Sequence, residues 1–180
     1  MFTIATIGHG TRESGEVLAM LNDAGIRTLV DVRQFPGSRR NPQFTATAFG
    51  ATLDGAGIGY LHLAGLGGRR RADPASRHTA LRIPAFRAYA DHMSTAVFAG
   101  DYARLQEIAG AAPTAILCAE RLWWRCHRRL IADRLTMDEW TVTHLLAPGK
   151  HEAHRMWGTA RVVDGLLVYD QGEHDEAPPN

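Results

Sequence analysis

The chain has 180 residues, 45% of them hydrophobic and 22% charged, with a formal net charge of +1. That length suits one domain able to bury roughly 70% of its unfolded surface, and the composition argues against wholesale disorder and against a broad basic face for duplex nucleic acid. Two cysteines are too few for a secreted disulfide framework, the start MFTIATIGHG has no leader-like character, and no apolar run approaches membrane-spanning length, so a cytoplasmic chain without membrane partners is expected.

TIATIG at 3–8 predicts a strand ending in glycine, and Val17, Leu18 and Leu21 recur at helical spacing between Thr11 and Ala24. Gly25 stops that helix, and RTLVDVR at 27–33 has the continuous apolar middle of a strand covered on both faces. The loop QFPGSRRNPQF leads into a predicted helix at 45–55, followed by a strand at 57–63. Residues 66–78, LGGRRRADPASRH, carry no apolar period and read as a long loop, a candidate lid. Pro84 opens a helix through Phe86, Tyr89 and Met93, and Tyr102, Leu105 and Ile108 mark another. TAILCA at 114–119 predicts a buried strand, RCHRRLIADRL a helix, and TVTHLL at 141–146 a further strand. Asp164-Gly165, inside ARVVDGLLVYD, predicts a hairpin turn.

This alternation implies a single α/β domain over residues 1–170, with a mostly parallel sheet flanked by helices on both faces and a C-terminal β-hairpin; residues 171–180 read as a flexible acidic tail. Ligands in such sheets sit at the carboxyl ends of the strands. Reactive residues fall at those ends in three segments: Gly8-His9-Gly10, Asp31 to Arg40, and Cys118 to Arg128.

The Gly8–Gly10 turn either presents free backbone N–H groups to an anion or simply reverses the chain. His9 titrates near neutrality, which suits a general acid or base and equally a structural hydrogen bond. Asp31 and Arg33 share one strand face and can pair, while Arg33, Ser38, Arg39 and Arg128 form a set suited to phosphate or carboxylate. Cys118 and Cys126 are eight residues apart with Glu120 between and His127 following, a spacing that matches neither a zinc knuckle nor a C-x-x-C pair, so no metal and no cofactor is expected. Cys118 near helical N–H groups and arginines is a candidate nucleophile, Glu120 a candidate base, and Trp124 beside Trp123 a candidate stacking surface for a nucleobase.

Taken together, TIGHG, LVDVRQFPGSRRNPQF, GIGYLHLAGLGG, FRAYADHM and LCAE…CHRRLIA, over roughly residues 3–146, resemble the bacterial and archaeal family known as domain of unknown function 488. The resemblance implies a compact α/β domain of no established activity and points to His9, Asp31, Arg33, Pro36, Ser38, Gly67, Gly68, Cys118, Glu120, Cys126, His127 and Arg128. This chain departs from it at Arg121 to Arg125, where members are expected to carry lysine or proline. LVDVR with a later strand-end cysteine also resembles rhodanese-type sulfurtransferases, but their glycine-rich cysteine loop is missing.

These residues lead to an expected enzyme that binds a phosphate-bearing small molecule or nucleic-acid component in an arginine-rich cleft, with Glu120 and Cys118 at the reacting centre of a hydrolysis or group transfer. The alternatives are a non-catalytic nucleic-acid-binding module and a thiol sensor working through Cys118 and Cys126. Oligomeric state is not legible.

Overall fold

The computed structural model describes residues 2–37 and 39–170. Eight strands form, β1 (Thr3–Gly8), β2 (Thr28–Asp31), β3 (Gly59–His62), β4 (Thr114–Cys118), β5 (Thr141–Ala147), β6 (Lys150–Ala153), β7 (Ala160–Val163) and β8 (Leu166–Tyr169), with helices α1 (Ser14–Asp23), α2 (Ala46–Asp54), α3 (Pro84–His92), α4 (Ala96–Ala111) and α5 (Arg128–Met137). The first six strands make one sheet in the order β3-β2-β4-β1-β5-β6, parallel except for β6.

Two hydrophobic layers sandwich this sheet, and strand alternation decides which residue goes to which. Ala5, Ile7, Leu29, Ala115 and Leu117 point to one face, where Val17 and Leu21 of α1 and Phe49 and Leu53 of α2 cover them. Ile4, Val30, Ile116 and Cys118 point to the other, against Phe86 and Tyr89 of α3, Phe98 and Leu105 of α4, and Leu130 and Ile131 of α5. α1 and α2 serve the crossovers running towards the β3 edge, and the remaining helices serve the return across β4 and β5. Changing direction on changing face keeps every parallel crossover right-handed.

The expected α/β class and covered parallel sheet are present. Asp164 (φ 50°) and Gly165 (φ 75°) make the tight turn of the β7–β8 hairpin, both in the left-handed region that this turn demands. The hairpin is a separate two-stranded sheet. Leu167 and Tyr169 of β8, with Trp157, join the core beneath α3 and α5.

Some expectations change. β6, absent from the sequence reading, is the antiparallel edge strand, reached through Gly149 at φ 67°. α1 begins at Ser14 instead of Thr11, because Arg12 is buried and its guanidinium bridges Gly8 O (2.8 Å) and Leu146 O (2.5 Å), tying the ends of β1 and β5 together. At the start of the long loop after Leu66, Arg70 Nη2 donates to Ala64 O at 3.3 Å, tying that end to the preceding turn. The tail expected at 171–180 lies outside the described residues.

Candidate functional site

A cleft of about 280 Å³ opens at the carboxyl ends of β1, β2 and β4, lined by His9, Gly10, Arg33, Gln34, Phe35, Gly37, Asn41, Gly68, Arg69, Cys118, Ala119 and His127. Here the parallel order places β4 between β1 and β2, so loops leaving neighbouring strands diverge and leave a crevice. Among these lining residues are two arginines and no carboxylate.

On the β2 side, Asp31 is fully buried and holds Arg33 through several contacts, including Arg33 Nε to Oδ1 at 2.9 Å and Arg33 Nη2 to Oδ2. Tyr60 of β3 adds an O–H donor to Asp31 Oδ2 at 2.7 Å. With one guanidinium edge committed to Asp31, the pair is a fixed, pre-oriented cation at the cleft wall. Arg33 Nη1 meets His9 Nε2 at 3.4 Å. His9 Nδ1 donates to Gly10 O at 2.9 Å, which leaves Nε2 as the acceptor, and the ring stacks on Phe44 at 4.2 Å between centroids. Burial, reinforced by Arg33 and Arg128, lowers the His9 pKa to about 4 against the backbone bond that opposes it. At neutral pH His9 is therefore a neutral support for Arg33 and has no spare proton to donate.

The Gly8–Gly10 turn does not offer free N–H groups to an anion. His9 N and Gly10 N donate to Cys118 O (3.0 Å) and Ala119 O (2.9 Å), extending the β1–β4 ladder into the loops. Gly8 is required for space: a Cβ there would lie 1.9 Å from Glu120 O.

The cleft floor is made of sulfur and imidazole. Cys118 ends β4, while a single 3-10 turn at Trp123–Arg125 folds the following segment back so that Cys126 and His127 arrive beside it just before α5. His127 Nδ1 lies 3.9 Å from Cys118 Sγ and 3.6 Å from Cys126 Sγ, and its Nε2 donates to Val32 O at 3.0 Å. Both thiols are free and buried. The hydrogen bond to Cys126, together with burial, pushes the Cys118 thiol well above the ordinary range. Burial also opposes ionisation of Cys126, but the bond from Cys118 and the charge of Arg128 outweigh it and hold Cys126 well below that range. Cys118 is the sulfur on the cleft wall.

Arg128 lies beneath the thiols, 1% exposed and outside the cleft lining. It donates from Nε to Cys126 Sγ (3.4 Å), from Nη2 to Glu120 O (2.5 Å) and from Nη1 to Thr6 Oγ1 (3.5 Å). The hydrogen bonds continue inward: Thr6 Oγ1 to His144 Nδ1 (2.7 Å), His144 Nε2 to His154 Nδ1 (3.0 Å), and His154 Nε2 to Asp133 Oδ1 (2.9 Å). Because Asp133 can only accept and Arg128 can only donate, every donor along this buried chain points towards the carboxylate.

Several expected site residues stand elsewhere. The Glu120 side chain is exposed, outside the cleft, and accepts from Leu122 N at 3.2 Å; only its backbone carbonyl serves the site. Trp124 is half-buried and away from the cleft, and Trp123 is consumed by packing on His144 at 4.0 Å and 7°. Arg39 is exposed and does not line the cleft, and Ser38 lies outside the described residues. Of the triple arginine, Arg69 reaches the cleft. Sequence reading missed Arg12 and Tyr60, whose value depends on partners distant in sequence, and the cleft residues Gln34, Phe35 and Asn41. In the QFPGSRRN stretch that contains these three, the arginines, Ser38 and Pro36 carry the visible signal. Gln34 Oε1 is buried with no hydrogen-bond partner among the described residues, and Phe35 is 66% exposed.

The fold and cleft define a class: a doubly covered α/β protein whose sheet carries a thiol, imidazole and guanidinium site at its carboxyl edge. The chain belongs to the family described as Domain of unknown function DUF488, whose sequence model matches residues 14–135. That match takes in Arg33, Gly68, Cys118 and His127 and begins after β1, so His9 stands outside it. No curated protein and no solved structure matches the chain.

Proposed function

We propose that this protein is an enzyme that binds a phosphate-bearing ligand of the nucleotide class in this cleft and carries out a hydrolysis or group transfer on it at the Cys118–His127 floor. One observation carries the reading: the lining combines two arginines and no carboxylate with a thiol and a proton-accepting imidazole nitrogen. Arg69 and the outer edge of Arg33 take the anion. Gln34 Oε1, buried without a donor among the described residues, suits an N–H of a base, and exposed Phe35 offers a ring for stacking. The role expected of Glu120 passes to the floor residues, since its carboxylate lies outside the cleft.

The test is a thermal-shift panel of nucleotides, nucleosides, bases and inorganic phosphate, followed by turnover assays with whatever binds. Wild-type protein should be stabilised by an anionic member of the panel, Arg69→Ala should weaken that binding about tenfold, and Cys118→Ser should turn over at least a hundredfold more slowly. Equal affinity in Arg69→Ala and undiminished turnover in Cys118→Ser would remove the assignment.

The thiol-sensor reading keeps one specific support, since the two sulfurs lie within 4.8 Å of each other. Mild oxidant should then remove two hydrogens from the intact mass, reversibly with reductant. The nucleic-acid-module reading keeps Trp124 alone as a stacking surface, because Trp123 is buried in packing.

A further inference from the structure

We infer that Cys118, Cys126 and His127 form a binding site for a zinc-class metal ion, one that is borderline-soft, divalent and four-coordinate, at the floor of the cleft. This deepens the functional reading above but is tested independently of it.

The two Sγ atoms and His127 Nδ1 all lie within 4.8 Å of one another. Metal–sulfur bonds near 2.3 Å and metal–nitrogen bonds near 2.0–2.1 Å at tetrahedral angles put sulfur and nitrogen about 3.6 Å apart and two sulfurs about 3.8 Å apart. His127 Nδ1 stands 3.6 Å from Cys126 Sγ and 3.9 Å from Cys118 Sγ. The donors are therefore already spaced as such an ion needs, and the sulfur–sulfur gap must close by at most about 1 Å.

The surroundings meet three further requirements. First, the imidazole must present a lone pair: Val32 O can only accept, so Nε2 carries a hydrogen and Nδ1 is the ring nitrogen turned to the sulfurs, the one whose lone pair a metal takes. A backbone carbonyl on the second ring nitrogen is the usual outer support of a metal-bound histidine. Second, binding demands deprotonated thiols, and Arg128 Nε donates to Cys126 Sγ at 3.4 Å, compensating that negative charge from below. Third, the approach to Nδ1 must be open. Gly68 leaves it so, whereas a Cβ at that position would sit 3.0 Å from Nδ1.

Two of the three ligands, Cys118 and His127, are wall residues of the cleft, so the fourth coordination position opens towards the ligand side. Three protein ligands with one open position is the pattern of catalytic rather than structural zinc. An ion there adds positive charge to the anion cleft and brings the pKa of a bound water close to 7, supplying the nucleophile for hydrolysis. The linear spacing of the cysteines hides this site because its ligands come from the end of one strand and from the turn that folds back beside it.

The decisive experiment uses the full chain, reduced and stripped with chelator, titrated with Zn²⁺ against a chromophoric competitor and separately with Co²⁺ followed by absorption. One equivalent should bind, and cobalt should give thiolate charge-transfer bands with the visible bands of a tetrahedral ion. Cys118→Ser and Cys126→Ser should each lose about half the charge-transfer intensity, and each of these and His127→Ala should weaken zinc at least tenfold. Gly68→Ala, which changes no ligand, should weaken it too. Circular dichroism identifies any variant that fails to fold, and Cys118→Ser, at the cleft wall, carries the test if Cys126→Ser does not fold. Absence of stoichiometric binding by wild type, or wild-type affinity and spectra in the folded cysteine variants, overturns the site. Neither readout involves a nucleotide, so failure here leaves the cleft assignment standing, and failure of the nucleotide panel leaves the metal site standing.

Discussion

Arg33 and Arg128 are both buried arginines tied to buried aspartates, yet they are held in opposite ways. Arg33 pairs directly with Asp31, two residues away on the same strand, and keeps an edge at the cleft. Arg128 reaches Asp133 only through Thr6, His144 and His154, contributed by β1, β5 and the residue after β6. The short pair makes a cation that can meet a ligand. The long chain disperses the same charge complementarity through the interior and holds the β4–α5 turn, with Cys126, against the sheet. Removing an end of the first should mainly change binding, and removing an end of the second should mainly change folding.

The largest effect is expected at Asp133, which is fully buried and accepts from His154 Nε2 (2.9 Å), Trp157 N (3.0 Å) and Tyr169 O–H (3.0 Å). Asp133→Ala strands three donors and should cost about 3–5 kcal/mol in denaturant unfolding. Asp31→Ala leaves Arg33 uncompensated and should cost about 3 kcal/mol, since cleft water can relieve part of the charge, and it should abolish anion binding as well. If both variants lose binding and stability in the same proportion, the contrast between the two networks fails.

The response to acid is spread over several pH units. Burial, with His154 and Arg128, lowers His144 to about 2, and His9 sits at about 4. Both folded values lie below the ordinary histidine value of 6.5, so the unfolded chain takes up these protons first. Stability is then complete above about pH 6.5 and falls as pH drops, by about 1.4 kcal/mol per pH unit for each histidine. The fall continues to about pH 4 for His9 and further for His144. Unfolding measured at pH 7.0 and at lower pH should show this slope, and His144→Gln should flatten it. The smallest effect is Arg69→Ala: stability unchanged within about 0.5 kcal/mol, with the loss confined to ligand affinity.

Much of the frame was readable from the residues. β1 and the helix after Thr45 fall where alternation and helical spacing put them, and Asp164-Gly165 turns as that dipeptide should. β6 escaped because KHEA carries no apolar alternation and is defined by its pairing with β5. At the site, Cys118 and His127 were placed at the right rim because strand ends are visible in sequence. Glu120 and Trp124 were not, because the 3-10 turn at 123–125 decides which side chains face the cleft.

The amino-acid order by itself determined the α/β alternation, the covered parallel strands and the edge of the sheet at which reactive groups collect, since each follows from local periodicity and turn chemistry. Only the tertiary structure decided that two cysteines eight residues apart and a histidine share one floor, that Glu120 faces away, and that Arg128 is wired to Asp133. Those outcomes depend on close backbone approach, such as that of Gly8 to Glu120, and on hydrogen bonds between segments more than a hundred residues apart, which no local pattern encodes.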